Sequence, residues 1–413
     1  MVSEVLRTDI PNDWNVITLG DYAQIFRGGS PRPIQAFLTT SDQGINWIKI
    51  GDVGAGEKFI ETTEEKIIPE GVSRSRMVYK GDLILSNSMS YGRPYIMNIE
   101  GCIHDGWLVI QKYDRTFNRE YLYYALSSDL TMRQYVAMAA GSSVQNLNKE
   151  KVSKVVLPCP KISEQKKIAE VLSSIDALIV DLKKLIRKKK DIRQGTMQML
   201  VTGKKRLDGF DGEWVKINLS KNSKLKARIG WQGLTTAEYL DEGYSYLITG
   251  TDFKDGQIDW NGCHYVDYNR YEQDPNIQVS NGDLLLTKDG TIGKVAYVAD
   301  LTRPATLNSG VFLVKPITDA YTAHFMFYVL ESSVFKDFLQ QLSAGSTINH
   351  LYQKDLVKFD LYVPPTKEEQ EAMAGILFDM DSDIHRLEKK LSKYQKIKQG
   401  MMEELLTGKV RLM

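Results

Sequence analysis

The chain repeats itself at domain scale. LVTGKKRL at 200–207 returns as LLTGKVRL at 405–412, an offset of 205 residues within 413. Other pairs precede it in matching order. Trp14 in DWNVITLGD answers Trp214 in EWVKINLSK, and KGDLILS (80–86) answers NGDLLLT (281–287). AGSSVQNLNKEKV (140–152) answers AGSTINHLYQKDL (344–356), and LPCPKISEQKKIAEVL (157–172) answers VPPTKEEQEAMAGIL (363–377). The offset drifts from 200 to 205, as small loop insertions would make it. A unit of about 200 residues is far longer than a solenoid repeat, so the fold must hold two equivalent bodies.

Each copy changes character part-way. Residues 12–158 and 213–362 are mixed: GDLILS, GDLLLT, WLVIQ (107–111) and VFLVK (311–315) have strand length, while REYLYYALSS (119–128) and AHFMFYVLESS (323–333) suit short amphipathic helices. Residues 163–200 contain no proline and a single glycine, Gly195. There Ile168, Val171, Ile175, Leu178, Leu182, Leu185, Ile192 and Met199 alternate at three and four residues, the stripe of a coiled coil. Met373, Ile376, Met380, Leu387, Tyr394, Ile397 and Met401 repeat it, broadened by Leu377, Ile384, Leu391 and Leu405.

Ser163 and Thr366 mark plausible helix starts, the second with Glu369 in capping-box spacing. Gly203 and Gly408 fit C-terminal caps. A helix of this length, about 57 Å, needs a partner for its apolar stripe, and the nearest partner is its own copy. The expected fold class is α+β: two mixed α/β domains joined by two long helices in an antiparallel intramolecular coiled coil, with an internal pseudo-two-fold repeat.

Composition excludes several alternatives. The start lacks the apolar core of a signal peptide. No run reaches the roughly 20 apolar residues of a membrane span. Three scattered cysteines suggest no disulfide framework, so a cytoplasmic location is expected. The net charge of +1 does not by itself announce a polyanion partner. Locally, residues 161–206 hold 13 Lys/Arg against 5 Asp/Glu, densest in KKLIRKKKDIR (183–193), whereas 366–413 hold 9 of each. Such a run is either a solvated face or a contact for phosphate or an acidic partner.

Catalytic signatures are sparse. No phosphate-cradling P-loop occurs, and GDVGAG (51–56) lacks the dinucleotide-binding order. No Asn-Pro-Pro-aromatic segment of an amino-methyltransferase is present. His104, His264, His324, His350 and His385 have no zinc-site spacing. Asp52 with Glu64 and Lys66 can be forced into the shape of a metal-dependent nuclease site, but the chain has no Pro-Asp pair and Glu-x-Lys recurs at Glu388 and Lys390. A binding protein is therefore favoured, with a coiled-coil adaptor lacking DNA specificity, or a nuclease, as rivals.

Written twice, the order of Gly-Ser turn, Leu-Pro-x-Pro, Glu-Gln, long helix and Leu-x-Thr-Gly-Lys-x-Arg resembles the specificity (S) subunit of type I restriction–modification systems. The segments that carry the resemblance are GSSVQNLNK (141–149), LPCP (157–160), EQKKIAEVL (164–172) and LVTGKKRL, with GSTINHLYQ (345–353), YVPP (362–365), EQEAMAGIL (369–377) and LLTGKVRL. The resemblance implies target-recognition domains at 1–158 and 213–362 and helical spacer regions at 159–212 and 363–413. It implies a split double-stranded DNA target, two methyltransferase subunits and two restriction subunits as partners, and no membrane. S-adenosylmethionine, ATP and magnesium would belong to those partners, with no cofactor bound and no catalysis performed by this chain.

Arg suits guanine and Asn or Gln suits adenine in the major groove. On that basis the implied DNA contacts are Arg27, Arg32, Arg74, Arg76 and Arg93 in the first domain and Lys288 and Asn308 in the second. The Gly-Ser turns add Ser142, Ser143, Gln145 and Asn146, answered by Ser346, Thr347, Asn349 and His350.

Overall fold

The computed structural model describes residues 10–54, 56–87, 91–139, 147–343 and 350–412. It separates into two compact units. Residues 1–183 and 389–413 form one, and residues 184–388 form the other. The boundary falls inside each long helix, Ile162–Val201 and Lys367–Leu406.

The first unit has two five-stranded sheets. One runs in the order Gln24–Arg27, Trp107–Gln111, Leu83–Ser86, Pro94–Met97, Phe59–Ile60. The other runs Leu38–Thr39, Glu65–Ile67, Ile45–Ile48, Gly101–Ile103, Arg76–Val78, with Ile45–Ile48 and Gly101–Ile103 parallel. A separate antiparallel pair, Asn15–Thr18 with Val156–Cys159, ties the start of the domain to the strand that leads into the long helix. The near-continuous burial of LILS and WLVIQ reflects strands covered on both faces.

The second unit repeats this order in two four-stranded sheets, with Phe253–Lys254 and Gln257–Ile258 as a separate antiparallel pair. Ser223–Lys226, Val311–Pro316, Leu284–Thr287 and Val295–Tyr297 form one sheet. His264–Val266, Ser245–Ile248, Ala305–Leu307 and Gln278–Val279 form the other, again with a parallel central pair. Val215–Asn218 pairs with Asp360–Val363 as Asn15–Thr18 pairs with Val156–Cys159. The duplicated text is thus a duplicated topology.

Each unit packs one end of the helix pair into its core. In the first, Ile168, Ala169 and Leu172 join Leu405 and Leu406 against Tyr121, Leu122 and Ala125 of the short helix Arg119–Ser127. In the second, Met197, Leu200 and Val201 join Met373, Ala374 and Leu377 against Phe325, Tyr328 and Val329 of Ala323–Glu331. Within each unit the two segments run antiparallel, since rising numbers on one meet falling numbers on the other.

The seam differs from the expected stripe by one residue in alternate positions. Ile168, Ile175 and Leu182 are buried as expected, but Leu172, Ile179 and Ile186 fill the alternate places. Val171 and Leu178 are only half-buried, while Leu185 and Ile192 are 41% and 47% exposed. On the second helix Met373 is buried and Met380, Leu387 and Met401 are half-buried. Ile376 and Ile397 face outward at 37% and 38%, whereas Leu377 and Ile384 are buried. The reason is geometric: an apolar band wider than one stripe satisfies the three–four alternation in two adjacent registers, and domain packing selects one.

The helix starts also differ in part. The first long helix opens at Ile162, so Ser163 lies inside it. Thr366 does cap the second, its hydroxyl accepting from the Glu369 amide at 3.3 Å. Gly203 and Gly408 follow the helix ends at φ +68° and +74°, a conformation favourable to glycine.

Candidate nucleic-acid interface

In the first unit one end of the sheets gathers most of the expected arginines. Beyond Arg27 the chain passes so close to the neighbouring strand that a Cβ on Gly28 would lie 2.1 Å from the His104 carbonyl oxygen. The Gly28 and Gly29 amides donate to the Trp107 and Ile103 carbonyls. This brings Ser30 and Arg32 beside Asp105. Ser30 Oγ donates to Asp105 Oδ1 at 2.7 Å, Arg32 pairs with Oδ2 at 3.6 Å, and Arg27 Nε donates to the Asp105 carbonyl at 3.1 Å. The Ser30 hydrogen bond holds the Asp105 carboxyl below the usual carboxylate range. Burial pushes the His104 imidazole down, and its Nε2 accepts from the Ile50 amide at 3.1 Å.

Arg76 lies over the Phe26 ring and Arg74 over Phe37. Arg93 is exposed on the hairpin that follows Leu83–Ser86. Arg27, Arg32 and Arg76 therefore share the 26–32 segment, and Arg74 and Arg93 stand on neighbouring loops. Exposed guanidinium forks held by fixed backbone can meet paired acceptors such as guanine O6 and N7.

Asn87 was not singled out by sequence. It is buried, donates through Nδ2 to the Asp105 carbonyl at 2.9 Å, and accepts from the Leu147 amide through its own carbonyl. It thereby anchors the chain that leaves the Gly-Ser turn. Ser142, Ser143, Gln145 and Asn146 lie outside the described residues, as do Ser346, Thr347 and Asn349.

The second unit builds the same place from different side chains. Lys288 stands where Asn87 does, and its carbonyl accepts from Leu351. Its ammonium lies over Phe312, 5.4 Å from the ring centre. Asn308 replaces His104 and uses Oδ1 to accept from Gly310 at 2.9 Å. His350 pairs with Asp289 through Nδ1 and by a backbone bridge. Arg228 occupies the place of Gly28 and is 1% exposed. Its Nε donates to the Leu307 carbonyl at 2.8 Å, while Nη1 has no hydrogen-bond partner among the described residues. Burial lowers the pKa of that guanidinium.

The repeated sign-off has a structural task. Arg206, at the end of the first long helix, forks onto Glu369 at the start of the second, at 2.9 and 2.6 Å. Arg411, at the end of the second, forks onto Glu164 at the start of the first, at 2.7 and 3.0 Å, and onto Asp13. Trp14 Nε1 also donates to Glu164 at 3.1 Å. The Arg411 hydrogen bond holds the Glu164 carboxyl below the usual range.

The glutamines that follow these glutamates are buried staples. Gln165 Nε2 donates to the Thr116 and Pro160 carbonyls while its Oε1 accepts from Asn118. Gln370 does the same with Ala320, Pro364 and Thr322.

The basic tract divides by face. Lys189 and Lys190 pair with Asp383 and Glu388 at 2.6 and 2.7 Å, and Arg193 pairs with Asp381. Lys184, Arg187 and Lys188 are exposed. Of the nuclease-like residues, Asp52 accepts from the Lys49 and Glu64 amides, while the Lys66 ammonium donates instead to the Asp42 carbonyl. Among the described residues, no group of three or more His, Cys, Asp or Glu is placed to hold a metal, and no helix is long and apolar enough to cross a membrane.

The two units share one topology, and each holds the start of one long helix and the end of the other. The family described as the type I restriction modification DNA specificity domain matches residues 11–194 and again 205–399. The chain belongs to this family. The specificity chain is 24% identical to the Type I restriction enzyme MjaVIII specificity subunit of Methanocaldococcus jannaschii, covering 98% of this chain and 94% of that one. It is 22% identical to the EcoBI specificity subunit of Escherichia coli, covering 97% and 87%. The crystal structure of the S subunit from M. genitalium shares the fold, with a TM-score of 0.60 at 16% identity over 96% of both chains. The specificity chain is thus a DNA-specificity component of a type I restriction–modification system.

Proposed function

We propose that the specificity chain reads a bipartite double-stranded DNA site, one half with each domain, and leaves the chemistry to its partners. Residues 1–158 and 213–362 act as target-recognition domains, and 159–212 and 363–413 as the spacer that fixes the unread gap. Two adenine methyltransferase subunits and two restriction subunits assemble with it in the cytoplasm. S-adenosylmethionine, ATP and magnesium serve those subunits.

One observation carries this reading: equivalent positions at the same end of the sheets, on a common scaffold, hold different residues. Asn87, His104 and Asp105 correspond to Lys288, Asn308 and Ser309, and Gly28 corresponds to Arg228. The scaffold residues that hold the helices, Glu164 with Gln165 and Glu369 with Gln370, are the same in both units. A reader of two unlike half-sites needs this combination, because base-edge contacts specify sequence while the frame only positions them. Helices of about 60 Å are longer than one DNA turn of about 34–36 Å, which suits a gap between half-sites.

The test is reconstitution. Purified chain alone neither methylates nor cuts DNA, and addition of its methyltransferase gives adenine methylation at a split motif. Replacing Arg27 and Arg32 with Ala relaxes one half-site and leaves the other unchanged. Cleavage by the chain alone that is lost on Glu64→Gln would support the nuclease reading instead.

A further inference from the structure

Both units contain, at equivalent positions, a polar knot between the two long helices and the domain's short helix; in the first, Lys58 Nζ also donates to Tyr124 Oη at 3.1 Å and to Ser173 Oγ at 3.2 Å. In the second unit Arg193 of the first long helix donates from Nε and Nη2 to Asp381 of the second at 2.8 and 3.0 Å. The same guanidinium reaches Glu331 of the domain's short helix at 2.5 Å and lies over the Tyr328 ring. Tyr328 Oη donates to Asp381 at 3.1 Å. In the first unit Lys398 pairs with Asp176 at 2.6 Å, and Tyr124 of the short helix donates to Asp176 at 2.6 Å with Lys398 over its ring.

The residues correspond at the repeat offset: 193 with 398, 176 with 381, and 124 with 328. Each knot therefore joins the two long helices to the short helix of the domain, Arg119–Ser127 or Ala323–Glu331. The pairs are half-buried: side-chain exposure is 15% for Arg193 and 35% for Asp381, and 25% for Lys398 and 21% for Asp176.

Apolar side chains would fill this space with no directional demand. A forked guanidinium on a carboxylate fixes angle as well as distance, and setting register is the best-attested use of buried ionic groups. We propose that these knots gear each recognition domain to the helix pair, so that Arg193, Asp381, Lys398 and Asp176 are positioning residues for the length of the DNA gap. The inference rests on the bipartite reading above.

The test replaces the knot without emptying it. One variant carries Arg193→Met, Asp381→Leu and Glu331→Leu, and a second carries Lys398→Met and Asp176→Leu. Buried ion pairs exchanged for apolar groups of similar size commonly keep or gain stability, and the two units give independent chances of a folded variant. Each is co-expressed with the partner methyltransferase, and methylated motifs are mapped by sequencing.

The expected result is unchanged half-sites with weaker gap selectivity. Preference for the native gap over gaps one base pair longer or shorter should fall at least threefold, within the roughly hundredfold that ångström-scale misplacement costs. Arg193→Lys, which mimics Lys398, should stay near wild type. A folded apolar variant with unchanged gap preference overturns the inference alone. A wild-type motif without a gap overturns both it and the bipartite reading.

Discussion

At the residue scale, the repeated Glu-Gln and Thr-Gly-Lys-x-Arg segments are parts of one device. Arg206→Ala should lower the melting temperature clearly more than Lys204→Ala, because it leaves the Glu369 carboxylate, 1% exposed, without its cation. Arg206→Lys should recover part of the loss, and equal effects of the two alanine variants would dismiss the lock. Glu164 gives a pH prediction. Its folded pKa is depressed by Arg411. Its contribution is complete above the ordinary glutamate value of about 4.3 and disappears as pH falls through the lower folded value. Glu164→Gln should therefore cost stability at neutral pH and show a smaller further loss on acidification. The cysteines are a simpler case. Burial pushes the Cys159 thiol up to about 11 and Cys263 up to about 12. Native protein at pH 8 should label slowly with a thiol reagent and quickly once unfolded.

These roles were beyond sequence reasoning for a definite reason. Arg206 and Glu369 are 163 residues apart, and Arg411 and Glu164 are 247 apart. The repetition of the motifs was plain, but only the fold shows that each arginine answers the other copy's glutamate. Asn87 was missed similarly, since its value lies in the backbone groups it joins. Arg27, Arg32 and Arg76 were selected by residue chemistry, and their convergence on the 26–32 segment is a product of the sheet order.

At the element scale, periodicity found the long helices and their common apolar band, but not which edge of the band is buried. Leu172, Ile179 and Ile186 have apolar neighbours at 171, 178 and 185, so the pattern fits both registers. The structure makes the choice measurable. Ile186→Ala should cost about 2–5 kcal/mol, whereas Leu185→Ala should stay within about 0.5 kcal/mol, both read from denaturant unfolding. Equal losses would contradict the register. Length gives a second prediction. Seven residues inserted in phase into both helices, within 173–192 and 378–397, add about 10 Å of helix. The gap should grow by about three base pairs at 3.4 Å each, with both half-sites retained. Altered half-sites with an unaltered gap would separate the helices from the spacing.

At the scale of the whole molecule, duplication explains why the fold was legible from one chain. Two copies of every weak motif, in one order, fix the division into mixed domains and helices more firmly than any single motif could. The strand pairs at each domain's entrance, the parallel central strands and the helix ends all recur in both units. What duplication leaves open is the content of the loop-bearing end of the sheets, because that is where the copies diverge. Lys288, Asn308 and Arg228 have no like residue at the matching positions in the first unit.

Whether one chain directs methylation to a split site can be read by mapping methylated adenines across the genome of a host that carries this chain and its methyltransferase. One motif with two unlike specific halves and a gap of fixed length should appear, absent when either protein is omitted. A single continuous motif, or methylation that persists without this chain, would contradict the split-site reading.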